Sequence, residues 1–269
     1  MKVILVGCGN MGFAMLKGWI ESGRLAAADV AVVEPNADLR DRAAALGVAT
    51  AGAAAELGDA AADIVVLAVK PQAMRAVLAD WTRLGDGATM FLTVAAGTRI
   101  ALYEDILGAR TPVLRCMPNT PAAIGLGMMV TVGNAHVSAM QKQAAHALLS
   151  ASGEVAEIAD ENLMDAVTAV SGSGPAYLFH FIEALTAAAK AVGLPGDIAA
   201  KLAMQTAYGA ATLAARSADG PARLREQVTS PNGTTAAALG VLMGDGALEK
   251  LMTTAVIAAR DRGVELGKG

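Results

Sequence analysis

The sequence predicts an α/β fold class: an N-terminal domain built on a doubly wound parallel sheet, followed by an all-α C-terminal domain. Three observations lead there. Apolar strand-like runs alternate with helix-forming stretches up to about residue 158, and a glycine-rich turn stands directly behind the first run. From Glu161 onward no strand pattern recurs, and long helix-forming stretches are broken only by Gly/Pro turns. The expected domains are 1–159 and 160–269.

Residues 2–7 (KVILVG) read as the first strand; they resemble the start of a signal peptide, but polar and charged residues soon follow and no small-residue cleavage pattern appears. Further strands are expected at 30–34, 63–69, 88–94 and 112–116, with helices near 10–22, 36–46, 71–80 and 98–107. Strands that are apolar almost throughout belong in a parallel sheet covered on both faces. A strand at 127–132, a helix around 138–150 and a short strand at 154–158 complete the first domain. Beyond it, turns at 171–175, 193–196, 219–221, 230–234 and 244–246 separate the helices.

Composition excludes several classes. Of 269 residues, 54% are hydrophobic and 17% charged, which describes a compact chain rather than a disordered one. Aromatics are only 3%, so the apolar weight lies in Ala, Val, Leu, Ile and 13 Met, the last expected as core filler. Mean hydropathy is +0.46, yet the charge-free stretch 116–141 contains Pro118, Asn119, Thr120, Pro121 and Asn134 and cannot form an unbroken apolar helix. No membrane association is expected. A net charge of −4 without any Lys/Arg run argues against nucleic acid as a partner. Two widely spaced cysteines, Cys8 and Cys116, suit neither a disulfide framework nor a zinc site, so no metal and a reducing cytoplasm are expected.

The segment GCGNMG (Gly7, Cys8, Gly9, Asn10, Met11, Gly12) has the form G-x-G-x-x-G between a strand and a helix. That context makes it a Rossmann dinucleotide fingerprint: Gly7 for the tight turn, Gly9 for close approach of a pyrophosphate, Gly12 for helix–strand packing. Glu34 ends the second strand, 22 residues after Gly12, where a carboxylate can accept from the adenosine ribose hydroxyls and repel a 2′-phosphate. The expected cofactor is NADPH or NADH, with Glu34 tilting the choice toward NADH. Arg40 and Arg42 lie close downstream, where a guanidinium could hold that phosphate.

Ligands of an open α/β sheet lie beyond the carboxyl ends of its strands. The turns Ala68-Val69-Lys70-Pro71 and Ala95-Ala96-Gly97 therefore border the dinucleotide. Lys70 has the chemistry of a proton donor, but a lysine at a strand end more often meets solvent or phosphate. Asn119, between two prolines in RCMPNTP, fits either a bond to the nicotinamide half or a self-bonded Asx turn. SGSGPAY (171–177) reads as a kink before a long helix or as a closure of the nicotinamide pocket. VTSPNGTT (228–235) puts a Pro/Gly turn before a helix that begins among hydroxyl residues, an arrangement that caps a helix or binds an anion.

GCGNMG, AVKP, VAAGT, RCMPNTP, AVSGSGPAY and LREQVTSPNGTT, in this order and spacing, resemble the 1-pyrroline-5-carboxylate reductase family over residues 2 to about 265. The resemblance implies hydride transfer from NAD(P)H to a cyclic imine, giving L-proline, the last step of proline biosynthesis. It implies that Ser230, Gly233 and Thr234 surround the substrate carboxylate. Thr235 would stand near the ring nitrogen as hydrogen-bond partner or proton relay. Asn232 departs from the glycine common in the family, but asparagine tolerates the left-handed conformation. A small hydroxyl residue is common where Glu34 stands. The resemblance also implies a homodimer, often assembled into larger rings. His136, His146 and His180 lie outside every motif, and His180 is expected to be a packed helix residue. A keto-acid reductase of the same architecture would want a Lys or His beside the carbonyl, and neither occurs in SGSGPAY or TSPNGTT. A non-catalytic dinucleotide sensor is the remaining alternative.

Overall fold

A computed structural model describes residues 1–267; Lys268 and Gly269, the end of the expected second domain, lie outside the described residues. The strands are β1 (Val3–Val6), β2 (Val30–Val33), β3 (Ala49–Ala51), β4 (Ile64–Leu67), β5 (Met90–Thr93), β6 (Val113–Met117), β7 (Gly127–Gly133) and β8 (Gly153–Glu157). They form one sheet in the order β3-β2-β1-β4-β5-β6-β7-β8. β1 to β6 run parallel, β7 is antiparallel to β6, and β8 parallel to β7. The doubly wound sheet is as expected. β3 is an addition: Ala49-Thr50-Ala51 has almost no apolar signal, and pairing with β2 alone makes it a strand.

Helices α1 (Asn10–Glu21), α2 (Ala37–Ala44), α3 (Met74–Ala79), α4 (Ile100–Leu107) and α5 (Ala139–Leu149) cover the two faces. The period-two alternation of a strand divides the apolar side chains between them. Leu5, Val66 and Leu92 meet Leu16 and Trp19 on one face. Ile4, Val65 and Phe91 meet Leu78, Trp81 and Tyr103 on the other. The Trp19 indole also donates to Leu148 O at 3.1 Å, tying α1 to α5. Ser138 and Gln141 start α5 with a reciprocal capping box.

Two compact units result, one of Met1–Ser173 with the chain from Ala259, the other Gly174–Ala258. After β8 the first unit continues through α6 (Met164–Val167) into a π-type wide turn, Thr168–Gly172, closed by Ser173 N–H on Thr168 O at 2.8 Å. The second unit holds α7 (Gly174–Ala191), α8 (Gly196–Arg216), α9 (Pro221–Gln227), α10 (Thr234–Met243) and the first part of α11 (Ala247–Leu266). Ala199, Ala203 and Ala207 form the buried stripe of α8. Many large apolar side chains of this unit are exposed in the single chain, among them Phe179, Phe181, Tyr208, Val241 and Leu251.

Two expectations change here. Met15, Met74, Met90 and Met129 are core residues, but Met140, Met204 and Met243 are exposed, so methionine is not uniformly core filler. His180 is not packed within the chain; its side chain is 82% exposed and meets Glu183 at 3.1 Å. Its helix turns an aromatic and aliphatic face outward, and the sequence pattern does not say which face of an alanine-rich helix the rest of the chain covers.

Candidate active site

The sheet order reverses between β1 and β4, and the loops that leave β1, β4 and β5 meet there. Gly7 N–H donates to Val33 O at 2.8 Å, Ala68 N–H to Val6 O at 2.8 Å, and Val94 N–H to Leu67 O at 3.1 Å. Gly7 sits at φ +87°, and a Cβ there would lie 2.9 Å from Ala68 O. At Gly12 a Cβ would fall 2.3 Å from Gly7 O, so α1 can pack on its strand only without a side chain. Gly9 differs: a Cβ there would meet nothing within 4 Å. The protein itself does not demand a glycine at position 9, whereas a pyrophosphate lying on the N-terminus of α1 would. Gly9 caps α1 without any side-chain hydrogen bond, so the first-turn N–H groups keep no capping partner. These features fit a dinucleotide.

Glu34 is buried, 7% exposed, and both carboxylate oxygens accept backbone bonds: Oε2 from Cys8 N–H at 2.7 Å, Oε1 from Asn36 N–H at 2.9 Å. From the other side the Arg42 guanidinium donates to Cys8 O at 3.0 Å and lies 3.9 Å over the Phe13 ring. Cys8 of the fingerprint is thus held through both its N–H and its carbonyl. Arg40 instead donates to Glu34 O and Pro35 O at 2.8 and 3.0 Å. Burial pushes the Cys8 thiol up to about 11, opposed by Arg42 and reinforced by Glu34.

Ala95 is buried, Ala96 is exposed, and Gly97 takes φ +72° between them and Thr98. Lys70 is exposed and precedes the short turn Pro71–Ala73, in keeping with a solvent or phosphate position. The Asn119 side chain forms no self-bonded Asx turn: its Oδ1 accepts from Met128 N–H at 2.9 Å, and its Nδ2 donates to Ser171 O at 3.2 Å. The amide ties the end of β6 to the start of β7 and to the SGSG turn. Gly172 packs against Met117 at the same place.

The loop before α10 has the expected form. Asn232 takes φ +61°, so asparagine does adopt the left-handed turn. Gly233 N–H closes the turn on Ser230 O at 3.1 Å and caps α10 without a side-chain bond. A Cβ at Gly233 would lie 2.5 Å from Ser230 Oγ, so the glycine makes room for that hydroxyl. Thr235 is half-buried in the first turn of α10, and Ser230 and Thr234 are exposed.

Residues 161–266 match a family model described as pyrroline-5-carboxylate reductase dimerisation, and residues 2–96 one described as NADP oxidoreductase, coenzyme F420-dependent. The chain is 42% identical to a pyrroline-5-carboxylate reductase of Pseudomonas aeruginosa, over 99% of this chain and 97% of that one. The chain belongs to the pyrroline-5-carboxylate reductase family. Among solved structures, a pyrroline-5-carboxylate reductase from Coxiella burnetii superimposes with a TM-score of 0.94 at 34% identity, covering 98% of each chain. The Plasmodium falciparum pyrroline carboxylate reductase, solved with NADP bound, gives 0.84 at 27% identity over 99% of this chain and 98% of that one.

For a reductase of this family, sequence reasoning passed over Arg115 and Glu161. Arg115, in the middle of β6, is 5% exposed, and its Nη1 donates to Glu161 Oε1 at 2.5 Å. The same oxygen accepts Ile100 N–H, the first of α4, at 2.8 Å. The available signal was an arginine inside a strand that is otherwise apolar, a residue that needs a partner wherever it is buried.

Proposed function

We propose that this chain reduces 1-pyrroline-5-carboxylate to L-proline with NAD(P)H, residues 1–159 binding the dinucleotide and 160–269 binding substrate and forming the homodimer. The observation that carries the reading is the pairing, in one chain of this family, of an uncapped fingerprint helix behind Gly9 with an uncapped α10 behind Ser230–Gly233. Each is an anion seat of the kind the two ligands need.

In this reading the turns Gly7–Gly12, Ala68–Pro71 and Ala95–Gly97 receive the cofactor, and Glu34 faces its adenosine ribose. Asn119 serves by holding the wall beside it. The bound reduced nicotinamide supplies the hydride. Ser230, Gly233 and Thr234 take the substrate carboxylate through hydroxyls and N–H groups, which orients the ring. Thr235 offers its hydroxyl to the ring nitrogen. A protonated imine is already electrophilic, so alignment and exclusion of water do most of the work and no strong acid is required. That suits a chain whose motifs contain no histidine.

The buried Glu34 supports a preference for NADH, because a 2′-phosphate beside it would face a carboxylate to which no cationic side chain among the described residues is bonded. Exposed apolar side chains of α7, α8 and α10 support the dimer, whose assembly into rings belongs to the same proposal. Two free buried thiols, with no helix among the described residues long and apolar enough to cross a membrane, support a cytoplasmic place. The test is spectrophotometric: pyrroline-5-carboxylate should drive oxidation of NADH and NADPH, and pyruvate should not. No imine-dependent oxidation would favour the sensor, and preference for a keto acid the carbonyl reductase.

A further inference from the structure

We infer that Arg115 and Glu161 are a positioning pair for the turn 94–98, an inference that rests on the reading of that turn as the seat of the nicotinamide half. The turn is held at its ends by polar anchors. At its start the Thr93 hydroxyl bonds the buried Tyr103 hydroxyl at 2.7 Å and accepts Ala95 N–H at 3.3 Å. At its finish Ile100 N–H donates to Glu161 Oε1 at 2.8 Å, and the same oxygen takes Arg115 Nη1. Arg99 Nη2 adds a bond to Asn162 Oδ1 at 2.6 Å.

Val94 and Ala95 pack against the two apolar cores, but beyond them polar side chains surround the turn. A cavity of about 250 Å³ opens there, lined by Gly97, Arg99, Arg115, Glu161, Asn162 and Asp165, among others. Gly97, in the left-handed region, borders this cavity and meets the backbone of Leu266 and Gly267, so the polar anchors at the ends of the turn add to what fixes its shape. A buried ion pair is a poor source of stability compared with apolar side chains of the same volume, so its value here lies in where it fixes the backbone. The Glu161 carboxylate also complements the positive end of α4, which begins where the turn ends. Both residues act through the turn, and neither is assigned contact with a ligand.

The experiment measures affinity, with no turnover involved. Dissociation constants for NADH and NADPH come from nicotinamide fluorescence, and that for ADP-ribose, which lacks the nicotinamide, from calorimetry. Glu161→Ala should weaken the reduced dinucleotides by roughly tenfold or more and leave ADP-ribose within about twofold. Glu161→Gln keeps a carbonyl oxygen for Arg115 and Ile100 N–H and should restore most of the loss. Should Glu161→Ala fold poorly, the Arg115→Met/Glu161→Leu double variant removes the pair without stranding a charge, and the same selective loss is expected. Parallel loss of all three ligands, loss of none, or a Gln variant as impaired as Ala overturns the inference. Ala96→Asp separates it from its parent reading. If that variant binds NADPH normally, the turn is not the nicotinamide seat and both fall; if it binds poorly while Glu161→Ala binds normally, only the pair assignment falls.

Discussion

Replacing Glu34 by serine tests two consequences of one carboxylate. The first is mechanical. Glu34 Oε2 holds Cys8 N–H at 2.7 Å inside a fully buried stretch of the fingerprint, whereas Asn36 is exposed and water can replace its partner. One orphaned buried donor costs about 1–3 kcal/mol, which corresponds to roughly 5- to 150-fold if the loop must be re-formed to bind either dinucleotide. The second is electrostatic. Like charges about 5 Å apart at an effective dielectric near 20 repel by about 3 kcal/mol before salt screening, so removing the carboxylate should move the preference toward NADPH by about tenfold or more. The assay is a pair of dissociation constants for NADH and NADPH at fixed ionic strength, wild type against Glu34→Ser. NADH affinity should fall while NADPH falls less or rises. An unchanged ratio refutes the account of cofactor choice, and NADH affinity equal to wild type refutes the bracing role.

The α10 loop and the thiols give further predictions. Gly233→Ala pushes a Cβ to 2.5 Å from Ser230 Oγ; KM for pyrroline-5-carboxylate should rise several-fold while that for the dinucleotide holds, and an unchanged substrate KM would remove Ser230 from the site. Thr235→Ala should lower kcat by roughly tenfold to a hundredfold, and full turnover would take Thr235 out of the mechanism. Cys8 binds its proton more tightly folded, at about 11, than unfolded, near 9.0. Its contribution is therefore intact below pH 9 and is lost as pH rises from 9 through 11. Urea midpoints should drop across that window, and Cys8→Ala should flatten the drop. Light scattering should give the mass of a dimer or a multiple of it, and a concentration-independent monomer would refute the obligate dimer.

What could be read from the sequence follows from how local each signal is. The apolar strands β1, β2, β4, β5 and β6 and the fingerprint are written in runs of four to six residues, so they are legible in one dimension. Ala49-Thr50-Ala51 is not, because its strand character comes from pairing with β2. Asn119 shows the same limit within the site: two flanking prolines announce a held amide, but only the fold reveals that Met128 N–H and Ser171 O hold it. Glu34 was legible by position, whereas its bracing of the loop through Cys8 N–H shows only in the fold. Arg115 and Glu161 stand 46 residues apart and meet only because β6 lies beside β5, whose following helix starts at Ile100. Residues that touch a ligand fall in compact motifs, because a ligand is small and the turns that reach it are short. Residues that aim those turns come from anywhere the sheet brings close, and for that reason the positioning pair carries no motif of its own.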